Sequence, residues 1–438
     1  MSYDTNASLT WGRIARWGAS SFLAKVVAVL LGFVTYSYIG KAFGAAAVGV
    51  IASLASGIAI FGLFPLLGFN SSVLKVVPDA LVIKGKTDAS VLCSLMYLFV
   101  VLSTMVAVLS IALLWQFGVL DRWFEEPAAA LVVVCAFFFG TLNFFLISAV
   151  RALGLRFTFI FLQVIQPAFL LILVVFFVPL QSDNTQLLIA YVVANILAFL
   201  INNMTLIGHL TFPNSKTVFL FITTRLNQII RTSIPMQVNS MVFACFAHVD
   251  VLLVFYLTSP NEAGVYAVAR KFSSVLSMFL SSINMLLAPN ISSLFAQQRY
   301  DNLYVTMTNL SKVSAITALV IFLMFVFYGE LFLGFFGTEF VDGYAALLIL
   351  ALGGLISAVF GSVGNFLNMT GFASRFSKIL VATVLIHLCL SVSMISLYGS
   401  TGAASAVLLS TLCWNTFAAR LIYLEHNVWL GFSVFKFR

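Results

Sequence analysis

Twelve apolar runs, each about as long as a bilayer is thick, divide this chain, and that repeat constrains it more than any motif. A helix needs about 20 apolar residues to cross a ~30 Å hydrocarbon core, because lipid offers no partner to a backbone N–H or C=O. The first six runs are Ser20–Ile39, Ala46–Leu67, Val91–Leu114, Ala128–Val150, Phe157–Val178 and Gln186–Leu206. The second six are Pro235–Leu257, Ala263–Leu287, Val313–Leu333, Tyr344–Met369, Lys378–Leu397 and Gly402–Leu424. What remains is short connections, with no room for a folded soluble domain. Only 8% of the 438 residues are charged and 62% are apolar, whereas a soluble domain is about 25% charged. A water-soluble enzyme, a disordered chain and a DNA-binding domain are thereby excluded. Arg13 and Arg16 precede the first run as they would in a secretion signal, but the run is long and no small-x-small cleavage site follows it, so it is read as a span.

The basic residues set an orientation. With a cytoplasmic N-terminus, 16 of the 22 Lys and Arg fall on the inner side: Arg13, Arg16, Lys75, Lys84, Lys86, Arg151, Arg156, Lys216, Arg225, Arg231, Arg299, Lys312, Arg375, Lys378, Lys436 and Arg438. Outer connections hold Lys41 and Arg122, together with most of the acids, among them Glu262 and Glu339. This is the positive-inside asymmetry, and one missed span would invert half of it. Both termini are expected in the cytoplasm.

The expected fold is an all-α polytopic membrane protein with about twelve transmembrane helices in two six-helix lobes. The lobes would comprise residues 1–207 and 233–438. The connection 208–232 would carry an interfacial helix over Thr217–Ile230. Six is an even number, so the lobes would share an orientation and be related by a pseudo-twofold axis along the membrane normal, with a substrate path between them. Val48-Gly49-Val50-Ile51-Ala52 opens span two and Ala263-Gly264-Val265-Tyr266-Ala267 opens span eight, a weak internal echo. Small residues in spans two and ten (Gly49, Gly57, Gly62; Gly353, Ser357, Gly361, Gly364) allow close helix approach.

Enzyme signatures are missing. Gly85-Lys86-Thr87 ends like a phosphate-binding loop, but position 80 is Ala80 where the motif needs glycine. No HExxH or GxSxG occurs, so neither a catalytic residue nor a metal or cofactor is expected. Energy for transport would come from a gradient or from the substrate. Cys93, Cys135, Cys245, Cys389 and Cys413 sit inside spans without metal-ligand spacing and read as small buried apolar residues.

Charges at membrane depth cost ~2.5–3.5 kcal/mol each on insertion scales, which makes each one a candidate site. Asp250 in span seven and Arg270 and Lys271 in span eight lie roughly 10 Å from the outer surface. A tight turn joins the two spans, so these charges stand at one level. Arg270, Ser274, Ser277, Ser281 and Asn284 recur at helical spacing on one face of span eight. Facing a wet cavity, that stripe suits a ligand with a phosphate and sugars: Arg grips phosphate bidentately and the short polar groups bond hydroxyls. Facing another helix, it is a Ser-rich seam with the cations snorkelling outward. Asp250 is read either as the ion-pair partner of Arg270 or Lys271, or as an ion- or proton-coupling group. Lys25, in the first third of span one, either snorkels to the inner headgroups or gives the first lobe a cavity cation. His248 and His387 read as hydrogen-bonded seam residues.

The segment from His248 to Phe272, with Asp250 followed by a turn ending in Glu262-x-Gly264-x-Tyr266, resembles spans seven and eight of bacterial polysaccharide flippases of the O-antigen (Wzx) type. Pro289-Asn290-Ile291 after span eight is similar too. The resemblance extends to chain length and to the six-plus-six organisation. It implies a flippase of the bacterial inner membrane that moves an undecaprenyl-diphosphate-linked oligosaccharide, such as an O-antigen repeat unit, by alternating access around a cationic cavity. The implied partners are the polyprenyl-diphosphate-linked glycan, membrane lipids, a polysaccharide polymerase and a chain-length regulator; no nucleic acid is expected. Arg270 and Lys271 match the region where that family places cavity cations, and Lys25 matches less closely.

Two other functions compete. An ion-coupled multidrug exporter of the same fold needs a cavity carboxylate, for which Asp250 is the candidate. A membrane glycan polymerase needs a large outer loop with catalytic residues, and the longest outer connection, Trp115–Pro127, is only about a dozen residues.

Overall fold

A computed structural model describes residues 11–83, 85–116, 127–178, 184–211, 221, 226–426, 428–429 and 435–436. The chain is helical almost throughout. In order the helices are α1 (Trp11–Phe61), α2 (Leu63–Leu66), α3 (Phe69–Ile83), α4 (Lys86–Gln116), α5 (Pro127–Ala152), α6 (Arg156–Phe177) and α7 (Asn184–Ile207). They continue with α8 (Leu226–Leu257), α9 (Pro260–Ala296), α10 (Tyr300–Gly334), α11 (Tyr344–Phe360), α12 (Val363–Met369) and α13 (Ala373–His426). A two-residue antiparallel pair, Val428–Trp429 with Phe435–Lys436, is the strand structure among the described residues and does not alter the class.

Among the described residues nine stretches are long and apolar enough to cross a bilayer. Two of them are of double length. Helix α1 has 51 residues, about 77 Å at 1.5 Å per residue, and could not fit a bilayer straight. It folds at Gly44 (φ 82°, ψ 174°), which separates spans one and two. Helix α13 folds in the same way at Gly399 (φ 56°, ψ −133°), between spans eleven and twelve. Both positions have the positive φ that side-chain-bearing residues avoid. Helix α9, with 37 residues, is long enough to supply the remaining span.

Span ten differs from the expected continuous helix. It stops at Phe360, and α12 begins at Val363 after Gly361 (φ 73°, ψ −152°). A β-carbon at Gly361 would lie 1.8 Å from Ser311 Oγ, so close packing as well as φ demands glycine. Prolines lie inside α3, α6 and α8 (Pro78, Pro167, Pro235), but the departures from helical φ/ψ fall at glycines. Most of the Thr217–Ile230 segment expected as an interfacial helix (217–220 and 222–225) lies outside the described residues, and from Leu226 onward the chain is already part of α8.

The chain forms two compact units. One comprises Met1–Thr35, Gly62–Val178 and Leu188–Gln237; the other comprises Tyr36–Phe61, Pro179–Leu187 and Val238–Arg438. The C-terminal half of α1 therefore packs with the C-terminal helices. In the first unit, Phe69, Met96, Leu142, Phe145 and Leu146 are fully buried. A buried amide chain ties α5 to α7: Asn202 Nδ2 donates to Asn143 Oδ1 (2.7 Å), and Asn143 Nδ2 donates to the Asn195 carbonyl (3.1 Å). At membrane depth such bonds replace the water that polar groups lack.

In the second unit, α1 and α9 meet at the two sequence echoes. A β-carbon on Gly49 would fall 1.8 Å from the Pro260 carbonyl oxygen; one on Gly264 would fall 1.9 Å from that of Ala45. Each glycine thus sits against the carbonyl four residues before the other, which is the reciprocity a local twofold produces. Phe272 of α9 anchors the neighbouring helix by ring contacts with Phe325, Phe332 and Phe336.

Candidate functional site

Helix α8 ends at Leu257 and α9 begins at Pro260, so the two form a tight antiparallel hairpin within the second unit. The hairpin brings three polar side chains together inside an otherwise apolar segment. Asp250 on α8 is fully buried, with 0% of its surface exposed. Its Oδ2 lies 3.0 Å from Arg270 Nη1 and accepts a 2.5 Å hydrogen bond from the Tyr266 hydroxyl. Its Oδ1 takes the Val251 N–H at 3.0 Å. Arg270 Nη2 donates to the Phe246 carbonyl one turn before Asp250. Tyr266 and Arg270 are four residues apart and therefore share a face of α9. The guanidinium side chain remains 18% exposed, so its far edge is reachable while its near edge is held. A buried charge is tolerated when it is paired and its other lone pairs are filled, and Asp250 meets both conditions.

Lys271 is one residue on and points elsewhere. Its ammonium lies 3.7 Å from the ring centroid of Tyr36 on α1, a cation–π contact. Ser274 Oγ donates to the Lys271 carbonyl at 2.6 Å. Ser274 and Ser277 are exposed. The side chains of Ser281 and Asn284 lie outside the described residues, so the upper part of the stripe is what the structure places. Lys25 belongs to the first unit and is exposed.

Two residues named in the sequence gain partners here. Tyr266, the last position of the Glu262-x-Gly264-x-Tyr266 motif, clamps the carboxylate, a role the motif did not specify. Its spacing of four from Arg270 was the available signal. His387 on α13 is fully buried; its Nδ1 lies 3.1 Å from Ser410 Oγ and its ring is 5.5 Å from that of Phe246. Its Nε2 and the Oγ of Ser391, one turn away, have no hydrogen-bond partner among the described residues. Among the described residues no group of His, Cys, Asp or Glu is arranged to hold a metal ion, and each of the five cysteines is a free thiol.

What the hairpin can do chemically follows from its charges. Arg270 and Lys271 carry two positive charges against the one of Asp250. Held guanidinium and ammonium groups in a segment of low dielectric attract anions strongly.

Solved structures of similar fold are transporters. A multidrug resistance MATE family transporter of the MOP superfamily, in its inward-facing conformation, superposes with a TM-score of 0.71 over 90% of this chain and 94% of that one, at 11% identity. A mutant of VcmN, a MATE transporter of Vibrio cholerae, gives 0.61 over 94% and 95%, at 15% identity. A MOP superfamily transporter from Pyrococcus furiosus gives 0.60 over 94% of both chains, at 12% identity. These likenesses establish the two-lobed, twelve-helix transporter fold. In sequence, an uncharacterized membrane protein of Methanocaldococcus jannaschii is 23% identical over 42% of this chain and 43% of its own length. A probable low-salt glycan biosynthesis flippase, Agl15 of Haloferax volcanii, is 24% identical over 38% of this chain and 35% of its own. The match thus spans less than half the length of these relatives. The model of the polysaccharide biosynthesis protein family matches residues 14–295. That match covers more than half of the chain, from the first span through the whole α8–α9 hairpin, and the chain belongs to the polysaccharide biosynthesis protein family.

Proposed function

We propose that this protein is a flippase that carries a polyprenyl-diphosphate-linked oligosaccharide across a membrane by alternating access between two six-helix lobes, residues 1–207 and 233–438. The observation that carries the reading is the α8–α9 hairpin. A family devoted to polysaccharide biosynthesis here places adjacent Arg270 and Lys271 inside a transmembrane hairpin, with Arg270 fixed by Asp250 and the Phe246 carbonyl. Two cations held at depth suit the diphosphate, the part of the cargo that lipid rejects most strongly. Lys25 adds a cation from the first unit, and Ser274, Ser277, Ser281 and Asn284 bond sugar hydroxyls along the same helix face. Asp250 keeps the guanidinium in register. In finer detail, we infer an undecaprenyl carrier and an O-antigen or similar repeat unit. We also infer the bacterial inner membrane, both termini in the cytoplasm, no enzymatic activity, and a polymerase and chain-length regulator as partners. The curated relatives above are archaeal; a different isoprenoid carrier would leave the diphosphate chemistry unchanged.

The test uses the full chain in proteoliposomes with a fluorescent polyprenyl-diphosphate oligosaccharide, where translocation is read as loss of accessibility to a membrane-impermeant quencher. Wild type should translocate well above protein-free vesicles, Lys271→Ala should lose at least tenfold in rate, and Arg270→Lys should keep part of it. Wild type indistinguishable from empty vesicles, or Lys271→Ala at the wild-type rate, defeats the reading. An exporter of organic cations would instead show ion-gradient-dependent efflux that requires Asp250. The Asp250–Arg270 pair argues against that, because the carboxylate already has a cation.

A further inference from the structure

The break in span ten opens a pocket of its own, whose lining does not include Asp250, Arg270 or Lys271. It has a volume of about 200 Å³ and lies wholly within the second unit, between α8, α10, the α11–α12 break and α13. Ser314, Ser357, Asn365 and Asn368 present hydroxyl and amide groups to it. The rings of Phe243, Phe376 and Trp414 form its walls, with Phe376 and Trp414 edge-to-face at 6.1 Å. Phe243 and Asn368 are exposed at its mouth, and Ser314 is buried, only 3% exposed.

Three observations say what enters. First, the polar groups are unspent. Many helix hydroxyls of this chain donate to a carbonyl three or four residues back, as Thr308, Ser311 and Thr317 do on α10 itself. Ser314 and Ser357 make no such bond, and the side chains of Asn365 and Asn368 make no hydrogen bond among the described residues. Polar groups left unpaired in a span cost free energy unless water or a ligand satisfies them. Second, among the described residues no charged side chain lines the pocket. A phosphate or an organic cation would have no counter-charge there, so the occupant is neutral. Third, non-helical backbone at membrane depth survives where it is buried in protein or lines a wet cavity, and Gly361, packed against Ser311, also lines this pocket; interrupted spans mark binding sites in transporters. Gly361 is such an interruption.

A neutral ligand with many hydroxyls and apolar C–H faces meets all three conditions: each amide offers two donors and an acceptor to neighbouring hydroxyls, and the rings cover the faces. Sites for drug-sized ligands run from ~300 to 1,000 Å³, so this smaller pocket holds one ring and not an oligosaccharide. We propose that the span-ten pocket is a subsite for a single uncharged pyranose of the cargo glycan, gripped by Asn365 and Asn368 against Trp414. The proposal rests on the glycan-flippase reading for the identity of the cargo. Gly361 lies 17 residues from Tyr344, about 26 Å along the helix, which puts the subsite in the inner third of the bilayer under the proposed orientation. A glycan made in the cytoplasm would reach it first.

Saturation-transfer NMR on the full chain in nanodiscs tests this with neutral hexoses, 6-deoxyhexoses and N-acetylhexosamines, with sorbitol as the blank. At least one sugar should take up saturation; Asn365→Leu and Trp414→Ala should each reduce it fivefold or more, and Trp414→Phe should retain most of it. Melting temperatures within a few degrees of wild type would show that the variants are folded. No transfer to any sugar, or transfer unchanged in Asn365→Leu, overturns the proposal. So does a chemical-shift response to sodium alone that blocks sugar transfer, which would make the pocket a cation site. Translocation separates this proposal from the broader reading. Pocket variants that flip lipid-linked glycan at the wild-type rate sink the subsite and leave the flippase standing. Sugar transfer in a wild type that flips nothing does the reverse.

Discussion

The reciprocal glycine crossing of α1 and α9 offers the sharpest quantitative test of the packing. Placing a methyl group on Gly264 sets it 1.9 Å from the Ala45 carbonyl oxygen, whereas ordinary contact begins at 3.4 Å. The obstacle is backbone, so no side chain can rotate away, and the helices must part by roughly 1.5 Å. Overpacking of this kind costs ~1–3 kcal/mol, and a rigid backbone contact belongs at the upper end. Replacing glycine by alanine in a helix returns about 0.5–1 kcal/mol, which leaves a net loss of about 2 kcal/mol. For a unit of this size that lowers the melting temperature by roughly 4–8 °C. Gly49→Ala meets the Pro260 carbonyl at 1.8 Å and should cost the same. Because one separation of the helices relieves both clashes, the double variant should fall short of the sum by about 1 kcal/mol or more. Gly57→Ala is the control: its β-carbon would meet Leu252 at 3.9 Å, an ordinary contact, and should leave the melting temperature unchanged or slightly raised. The assay is thermal unfolding of purified full-length protein followed by tryptophan fluorescence. Wild-type melting of Gly264→Ala, or full additivity of the two single losses, would show that the crossing is not as described.

Further expectations concern charge. Arg270→Ala strands a buried carboxylate and should cost about 3–5 kcal/mol, while Arg270→Ala combined with Asp250→Ala should recover much of the melting temperature without recovering transport; a double variant no more stable than the single one would remove the ion pair from the account. Tyr266→Phe deletes one hydrogen bond to a charged group and should cost about 1.5–3 kcal/mol; an unchanged melting temperature would refute the clamp. Glu262→Ala releases the Ser400 N–H that its carboxylate accepts at 2.6 Å and should speed backbone hydrogen exchange at the start of span twelve; unchanged exchange there would deny it a capping role.

Much of the fold was legible because lipid is an unforgiving solvent. Span length, the alternation of basic and acidic connections and the even count follow from rules that admit few exceptions. The level of Asp250 and Arg270 was legible as well, since both are counted from the same two-residue turn, and the side chains do meet at 3.0 Å. Other features were not. Nothing about Gly361 distinguishes it from Gly353 eight residues earlier, yet one breaks the span and the other packs against Leu408 inside an unbroken helix. The difference lies in Ser311 of α10, a long-range contact that no local pattern encodes. Tyr266 was legible as a motif position but not as the partner of Asp250, and the cation–π partnership of Lys271 with Tyr36 joins residues more than 200 positions apart. Sequence periodicity places a residue on a face; it does not say which neighbour that face meets.

The acids of the outer connections illustrate how a global rule can conceal a local cause. Their bias toward one side is what membrane topology alone would produce, and Glu262 and Glu339 look interchangeable with any other loop carboxylate. Each instead closes a helix that restarts after a glycine fold. Glu339 Oε2 accepts the Ala45 N–H at 3.2 Å just beyond Gly44, and Glu262 Oε1 accepts the Ser400 N–H just beyond Gly399. A restarted helix exposes unpaired N–H groups and the positive end of its dipole, and a carboxylate satisfies both. Neither could be supplied from the adjoining sequence: Gly44 and Gly399 have no side chain with which to cap, so the acid must come from elsewhere in the chain. The same two contacts therefore stitch span two to the turn before α11 and span twelve to the start of α9. In this unit the glycines that let long helices fold back create the polar ends that distant carboxylates then bind, and folding back and long-range fastening become one structural device.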